Sequence, residues 1–179
     1  MKIKQVFEYD MNGELETALQ DLLTNCFPQI YPEDRIYFKQ LPHFRFLAFN
    51  EENQLVGQVG LDYRVMNLDG EPVKVLGVID LCVSPNSRSE GIGSSLLSEV
   101  DQFSQGRDID FILLFADDKT LYKKKGYTSV ENKCTWLKVD NESHISKGVG
   151  CESLKELMVK NVGKKQWGQG NLDLLGYLY

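Results

Sequence analysis

Residues Leu81–Ser94 combine an apolar strand with a glycine-punctuated loop that opens a helix. The stretch reads Leu-Cys-Val-Ser-Pro-Asn-Ser-Arg-Ser-Glu-Gly-Ile-Gly-Ser. Its two glycines allow the backbone to approach a ligand closely, and the free N–H groups of a first helical turn point, with the helix dipole, toward an anion. The sequence therefore predicts an anion site that suits a pyrophosphate.

Two familiar nucleotide-binding patterns do not fit this stretch. The Walker A loop requires a Gly-Lys-Ser/Thr ending, which is absent. The dinucleotide fingerprint requires a third small residue where Leu96 stands. Neither nucleotide fold is therefore indicated.

The stretch resembles the acyl-CoA signature of the GNAT acetyltransferase superfamily, in which a strand with a Val-x-Pro-like ending precedes an Arg/Gln-x-x-Gly-x-Gly/Ala loop. Arg88, Gly91 and Gly93 fill this pattern. A second family element follows at Leu121–Tyr127, where a tyrosine on a helix is followed by Gly-Tyr and preceded by the strand Phe111–Phe115. The order of elements matches from Ile3 to Val139, and the C-terminal residues match only loosely.

The resemblance implies an α+β fold with a mixed, mostly antiparallel central sheet that is splayed between two strands and flanked by helices. We expect a single GNAT domain over residues 1–179, with core motifs at about 73–139 and a C-terminal strand or helix completion at 140–179. The two splayed strands would be Leu81–Val83 and Phe111–Phe115.

Acetyl-CoA is the co-substrate that the resemblance implies. Its pantetheine arm would pair with backbone groups between the splayed strands, and its pyrophosphate would lie on the loop, held by backbone amides more than by side chains. The expected cofactor-binding residues are Leu81, Cys82, Val83, Arg88, Ser89, Glu90, Gly91, Ile92, Gly93 and Ser94.

The implied reaction is direct acetyl transfer to a primary amine of a small molecule. A neutral amine attacks the thioester, and a backbone N–H near Leu81–Val83 meets the oxyanion. Tyr122 is the expected general acid for the departing thiolate, because a phenol with an unperturbed pKa of about 10 is protonated at neutral pH. The alternative is a structural tyrosine whose hydroxyl is satisfied locally.

Asp80 is the first candidate for the general base. A carboxylate inside the apolar run Val78–Leu81 requires a reason, either as a base or as a buried hydrogen-bonding partner, and both interpretations stay open. A water relay without a dedicated base is a further alternative.

The proline-flanked loop Phe27–Arg35 is where the family commonly forms its acceptor pocket. Tyr31, Glu33 and Asp34 are therefore the expected substrate-binding residues, and the two acids would suit a cationic amine. The alternative for the two acids is that they are only solvated.

Within the superfamily, this loop and the C-terminal residues 167–179 are loosely similar to aminoglycoside 2′-N-acetyltransferase. Ile30 and Arg35 stand where acids are expected, and Arg35 would repel a polycation. Two other functions stay open, a protein or peptide N-acetyltransferase and a catalytically silent acyl-CoA-binding module.

Charge, apolar runs and the placement of cysteine and histidine exclude several classes of binding partner. A net charge of −6 argues against a nucleic-acid binder, and no apolar stretch approaches a membrane span. Four scattered cysteines and two histidines lack the spacing of metal ligands, so we expect no metal and a reduced, cytoplasmic protein. The terminal strand Leu172–Tyr179 either completes the sheet or pairs with a second copy, so a homodimer stays open.

Hydrophobic periodicity predicts the elements that position these residues. Helices are expected at Leu15–Cys26 with Asn12 as N-cap, Arg35–Gln40, Gly93–Phe103, Lys119–Lys125 and Ser153–Val162. Strands are expected at Ile3–Glu8, Phe44–Phe49, Leu55–Val65, Val73–Val83, Phe111–Phe115, Tyr127–Val139 and Leu172–Tyr179, and a polar, mobile loop at Asp140–Gly150.

Overall fold

Helix α1 (Gly13–Cys26) begins at the predicted N-cap. The side-chain oxygen of Asn12 accepts a hydrogen bond from the Leu15 N–H at 2.9 Å, which satisfies one of the free donors of the first turn. The buried face of α1 carries Leu19, Leu22 and Leu23. The start of α1 and the face that it buries are therefore both predictable from the sequence.

The computed structural model describes residues 1–179. The other two helices are α2 (Ile92–Ser104) and α3 (Thr120–Lys124), and short 3-10 turns lie at Glu8–Asp10 and Pro85–Ser87. The strands are β1 (Lys2–Phe7), β2 (Phe44–Phe49), β3 (Leu55–Leu68), β4 (Glu71–Val83), β5 (Phe111–Phe115), β6 (Thr128–Ser129), β7 (Lys133–Val139), β8 (Ser146–Ser153), β9 (Leu157–Asn161) and β10 (Leu172–Tyr177). None of the helices is long and apolar enough to cross a membrane.

The chain forms two compact units, and β3 and β4 contribute residues to both. Unit 1 comprises Met1–Leu61 and Ile79–Phe103, and unit 2 comprises Asp62–Val78 and Ser104–Tyr179. In unit 1, β1, β2 and the first half of β3 form an antiparallel sheet. The apolar face of α1 packs there in a core that also includes buried side chains of β2, β4 and the segment after α1.

A buried arginine crosses the sheet of unit 1. Arg45 on β2 is 1% exposed, and its guanidinium donates to both carboxylate oxygens of Glu8 at 2.9 Å, to Gln58 Oε1 at 3.0 Å and to the Ile36 carbonyl at 2.6 Å. A charge this deep is tolerated only when it is paired and hydrogen-bonded. These contacts join the end of β1, β2, β3 and the loop before β2.

Unit 2 is built on a mixed sheet with the strand order β6-β9-β5-β4-β3-β10-β7-β8. The pairs β4–β5 and β10–β7 are parallel, and the pairs β5–β9, β6–β9, β10–β3 and β7–β8 are antiparallel. The β4–β5 pairing joins Val75–Gly77 to Phe111–Leu113 and stops there, although β5 continues to Phe115. The expected α+β class with a mostly antiparallel, splayed sheet is thus confirmed.

Two predicted helices are wrong. The segment Ser153–Val162 has helical spacing, but Leu157, Met158 and Val159 are buried consecutively and form β9 between β5 and β6. Pairing on both sides favours a continuous apolar strand over the local helical pattern.

The predicted helix Arg35–Gln40 is instead a run of turns and bends. The Ile36 carbonyl accepts the Arg45 guanidinium there, and Pro42 follows. The expected loop Asp140–Gly150 is also partly wrong, because β8 begins at Ser146 and pairs with β7.

We expect Glu8→Ala to lower the free energy of unfolding by about 3–5 kcal/mol, because it leaves a buried guanidinium without its counter-charge. Urea denaturation measures this change. The matched control is Asp108→Ala, which removes one member of the exposed Lys74–Asp108 pair and should lower the free energy of unfolding far less, because solvent screens exposed charges. Equal effects of the two substitutions would contradict the role given to Arg45.

Candidate active site

The predicted cofactor residues form one continuous strand–loop–helix segment of unit 1. Leu81–Val83 end β4, Arg88–Gly91 form an exposed loop, and Ile92–Ser94 make the first turn of α2. Ser89 and Gly91 adopt φ values of 69° and 80°, in the left-handed region. Left-handed residues in such a loop turn successive N–H groups toward a common concavity that attracts anions.

The first turn of α2 adds further donors. Its earliest intrahelical bond runs from the Ser95 N–H to the Gly91 carbonyl at 2.9 Å, and the N–H groups that precede it have no helical partner. A Cβ built on Gly91 would meet nothing within 4 Å, so the space before this turn is open. An exposed loop, free amides and the nearby Arg88 therefore fit a pyrophosphate.

Close packing fixes the position of α2. Gly57 on β3 lies beneath the helix, and a Cβ there would come within 3.0 Å of the Ile92 side chain and 3.3 Å of Leu96. After β4, the Ser84 N–H donates to the Val56 carbonyl at 2.8 Å. The strand and the helix on either side of the loop are thus both held against β3.

Asp80 interrupts the extended backbone of β4. Its φ of 49° lies in the left-handed region, which is uncommon for a non-glycine residue and typical of β-bulges. The Gln58 side-chain amide donates to the Asp80 carbonyl, and the same Gln58 accepts from Arg45. The Tyr31 hydroxyl donates to Asp80 Oδ2 at 3.3 Å.

The environment of Asp80 perturbs its titration. Burial raises the pKa of the Asp80 carboxyl above its ordinary value, while the charge of Arg45, the hydrogen bond from Tyr31 and the charge of Lys39 lower it. Burial likewise lowers the pKa of Lys39, opposed by Asp80, and raises the pKa of Tyr31 well above its ordinary value. A carboxyl whose pKa is raised by burial beside charged partners is typical of groups that transfer protons.

Sequence reasoning missed three of these residues: Lys39, Arg45 and Gln58. The signal that marked Asp80, a polar residue within an apolar strand, was also present for Arg45 in β2 and Gln58 in β3, both of which are buried. Lys39 carried no such signal, because it lies in an irregular segment.

The three predicted acceptor residues separate in the structure. Tyr31 is 6% exposed and bonds Asp80, whereas Glu33 and Asp34 are exposed and Asp34 pairs with Arg35 at 3.6 Å. A cavity of about 470 Å³ lies beside this segment. Its lining is Glu8, Tyr9, Met11, Glu16, Arg35, Ile36, Tyr37, Leu41, Pro42 and His43.

Cys82 has a second thiol as its neighbour. It is 7% exposed in the core beside α1, where a hydrogen bond with Cys82 and the charge of Arg88 lower the pKa of Cys26. The Cys26 thiol also donates to the Val83 carbonyl at 3.4 Å. All four cysteines of the chain are free.

Tyr122 lies in unit 2, on the short helix α3. Its ring centroid is 5.8 Å from that of Tyr127, and its carbonyl accepts the N–H groups of Lys125 at 2.9 Å and Tyr127 at 3.1 Å. Gly126 ends this turn with a φ of 85°. The predicted tyrosine thus sits on a helix closed by glycine, as its sequence element implies.

The chain matches the model of a known family. A family model described as an acetyltransferase (GNAT) domain matches residues 11–130, which include β2 to β5, α2 and α3. A comparison with curated protein sequences finds no significant match.

Solved structures share the fold at low identity. A GCN5-related N-acetyltransferase from Anabaena variabilis matches with a TM-score of 0.62 and 21% identity over 75% of this chain and 34% of that chain. The Escherichia coli GNAT family N-acetyltransferase YhbS, in complex with CoA, matches with a TM-score of 0.62 and 15% identity over 96% of this chain and 88% of that chain. An aminoglycoside 6′-N-acetyltransferase complexed with coenzyme A matches with a TM-score of 0.63 and 18% identity over 93% of this chain and 99% of that chain.

The lengths of these similar structures differ. The chain spans about a third of the length of the Anabaena protein and of two others, from Enterococcus faecalis and Mycobacterium abscessus. It spans most of the length of YhbS and of the aminoglycoside enzyme.

Proposed function

The chain belongs to the GNAT acetyltransferase family, and we propose that it transfers the acetyl group of acetyl-CoA directly to a primary amine of a small molecule. The observation that carries this proposal is the segment from β4 through the left-handed loop to α2, which lies within the matched family region. We also infer a cytoplasmic enzyme, since all four cysteines are free.

Backbone groups hold acetyl-CoA in this proposal. The amides of Arg88–Ser94 receive the pyrophosphate, because the loop concavity and the N-terminus of α2 present N–H groups to an anion. Leu81–Val83 pair with the pantetheine arm, and a backbone N–H there meets the charge that develops on the thioester oxygen. Acetyl-CoA supplies the activated acetyl group when it is bound.

Two side chains handle the protons. Asp80 accepts the proton of the acceptor ammonium, directly or through water, since burial raises its pKa toward the range of a useful base. Tyr122 donates a proton to the departing sulfur, because a phenol is protonated at neutral pH. Tyr31 lies beside the acceptor and also orients the proposed base, because its hydroxyl donates a hydrogen bond to Asp80 Oδ2.

The acceptor in this proposal is a small primary amine, and a polyamine sugar stays a candidate. Arg35 and Ile36 line the cavity beside the acceptor segment, and Glu33 and Asp34 do not. Arg35 in this lining would repel a polyamine sugar, but it is paired with Asp34 at 3.6 Å and Glu16 lines the same cavity, so the lining does not exclude one. Glu33 and Asp34 attract a cationic acceptor only weakly, because both are exposed and salt screens their charges.

Thiol release from acetyl-CoA tests the function across a panel of aminoglycosides, polyamines, amino acids and short peptides. We expect turnover with a small amine, and a loss of about a hundredfold or more in kcat for Tyr122→Phe, because the leaving sulfur loses its acid. The assay follows the free thiol spectroscopically.

Each alternative gives a different result in that panel. Turnover of peptides alone would favour a peptide N-acetyltransferase. Calorimetric binding of acetyl-CoA without turnover of any acceptor would favour a silent acyl-CoA-binding module. Undiminished turnover by Tyr122→Phe would refute the role of Tyr122.

Asp80→Asn tests the base through two pH profiles. The acidic limb of kcat/KM, which rises as Asp80 loses its proton, should disappear in the variant. A raised folded-state pKa also means that the wild type loses stability as pH rises through that pKa. The free energy of unfolding of Asp80→Asn, relative to wild type, should therefore increase as the pH rises from the ordinary pKa of an Asp carboxyl, about 3.9, through the raised folded-state pKa. A stability difference that does not change with pH would contradict the raised pKa.

A further inference from the structure

Two cysteines of unit 1 meet between helix α1 and strand β4. Cys26 is the last residue of α1, Cys82 lies on β4, and the two side chains share the core beside the helix. Their thiols are hydrogen-bonded to each other, and the Cys26 thiol also donates to the Val83 carbonyl at 3.4 Å. The two sulfur atoms are therefore in contact, and both are free thiols in this structure.

The two thiols differ in exposure and in ionisation. Cys26 is half-buried, whereas Cys82 is buried at 7% exposure. The hydrogen bond with Cys82 lowers the pKa of Cys26, against the effect of burial, and the Arg88 guanidinium lowers it further by its charge and by a hydrogen bond. The hydrogen bond with Cys26, burial, and the charges of Cys26 and Asp80 raise the pKa of Cys82. Cys26 is thus the thiol that ionises first.

Thiol–disulfide exchange uses this asymmetry. A partly exposed thiolate beside a cation attacks a disulfide, and a second thiol in contact with the first then displaces the outer sulfur. The proposed acetyl transfer does not use Cys26, because the amine attacks the thioester directly. The contact between the two thiols is therefore available for separate chemistry.

The other two cysteines lie in unit 2 and lack this arrangement. On the β7–β8 ladder, Cys134 is opposite Glu152 and Cys151 is opposite Thr135. Because successive side chains of a strand point to opposite faces, Cys134 and Cys151 lie on different faces of the sheet. Cys134 is fully buried and Cys151 is exposed. These two cysteines therefore serve as an internal control.

We propose that Cys26 and Cys82 form a thiol–disulfide exchange site that takes a low-molecular-weight disulfide as its substrate. The Cys26 thiolate attacks one sulfur of the small disulfide and forms a mixed disulfide. The other half leaves as a thiolate and takes up the proton that Cys26 lost. Cys82 then loses its proton and attacks Cys26 Sγ, which forms the Cys26–Cys82 disulfide and releases the second half as a thiol. The protein dithiol is oxidised by two electrons, and the small disulfide is reduced to two thiols.

The first step prepares the second. Once Cys26 is in a mixed disulfide it carries no charge, so its charge no longer raises the pKa of Cys82. Cys82 then ionises more easily beside the sulfur that it attacks. Disulfides in the cytosol are usually transient and redox-sensing, so we expect this one to be reversible. The proposal does not depend on acetyl transfer.

The test is incubation of the native protein with oxidised glutathione, followed by alkylation in denaturant and peptide mass mapping. We expect Cys26 and Cys82 to lose their alkylation sites together and to appear in one linked peptide pair. Excess reduced glutathione should reopen this link. Absence of the link in wild type would overturn the proposal, as would formation of a Cys134–Cys151 link at the same rate.

Two variants separate the two steps. Cys82→Ser should accumulate glutathione on Cys26, because the second step is blocked. Cys26→Ser should leave Cys82 unmodified, because Cys82 is buried. Cys134→Ser is the matched control, since it also replaces a buried cysteine, and it should form the Cys26–Cys82 link as wild type does. Modification of Cys82 in Cys26→Ser as fast as in wild type would contradict the order of the steps and overturn the proposal.

Discussion

The buried guanidinium of Arg45 is the contact on which the architecture of unit 1 depends. A charge at 1% exposure must be neutralised and hydrogen-bonded, and Glu8, Gln58 and the Ile36 carbonyl together meet that demand. The requirement connects segments that are distant in sequence. It also explains why the segment before β2 is irregular, since its carbonyl is oriented toward the arginine and not along a helix.

The same network reaches the proposed chemistry through Gln58. This side chain accepts from Arg45 and donates to the carbonyl of Asp80, whose backbone is in the left-handed region. The positive charge of Arg45 also limits how far burial raises the pKa of Asp80. One buried arginine thus supports the backbone conformation of the proposed base through Gln58 and lowers the proton affinity of its carboxyl.

Local signals predicted the fold best where one segment carried all the information. Asn12 and the apolar face of α1 are contiguous, and so are the strand, loop and helix of Leu81–Ser94. The segment Ser153–Val162 failed because its strand depends on β5 and β6, which no local pattern reveals. The contacts of Arg45 with Glu8 and of Tyr179 with Gly77 join residues far apart in sequence. No local sequence pattern therefore pairs them.

The central claim is that the loop before α2 holds acetyl-CoA, and calorimetric titration of Gly91→Glu tests it most directly. Gly106→Glu is the matched control, because both glycines are exposed, adopt φ values of 80° and 68°, and have nothing within 4 Å of an added Cβ. The backbone strain of the two substitutions is therefore similar, and only Gly91→Glu places a carboxylate at the proposed pyrophosphate site. We predict that Gly91→Glu abolishes acetyl-CoA binding and that Gly106→Glu retains it. Wild-type affinity in Gly91→Glu would contradict the account.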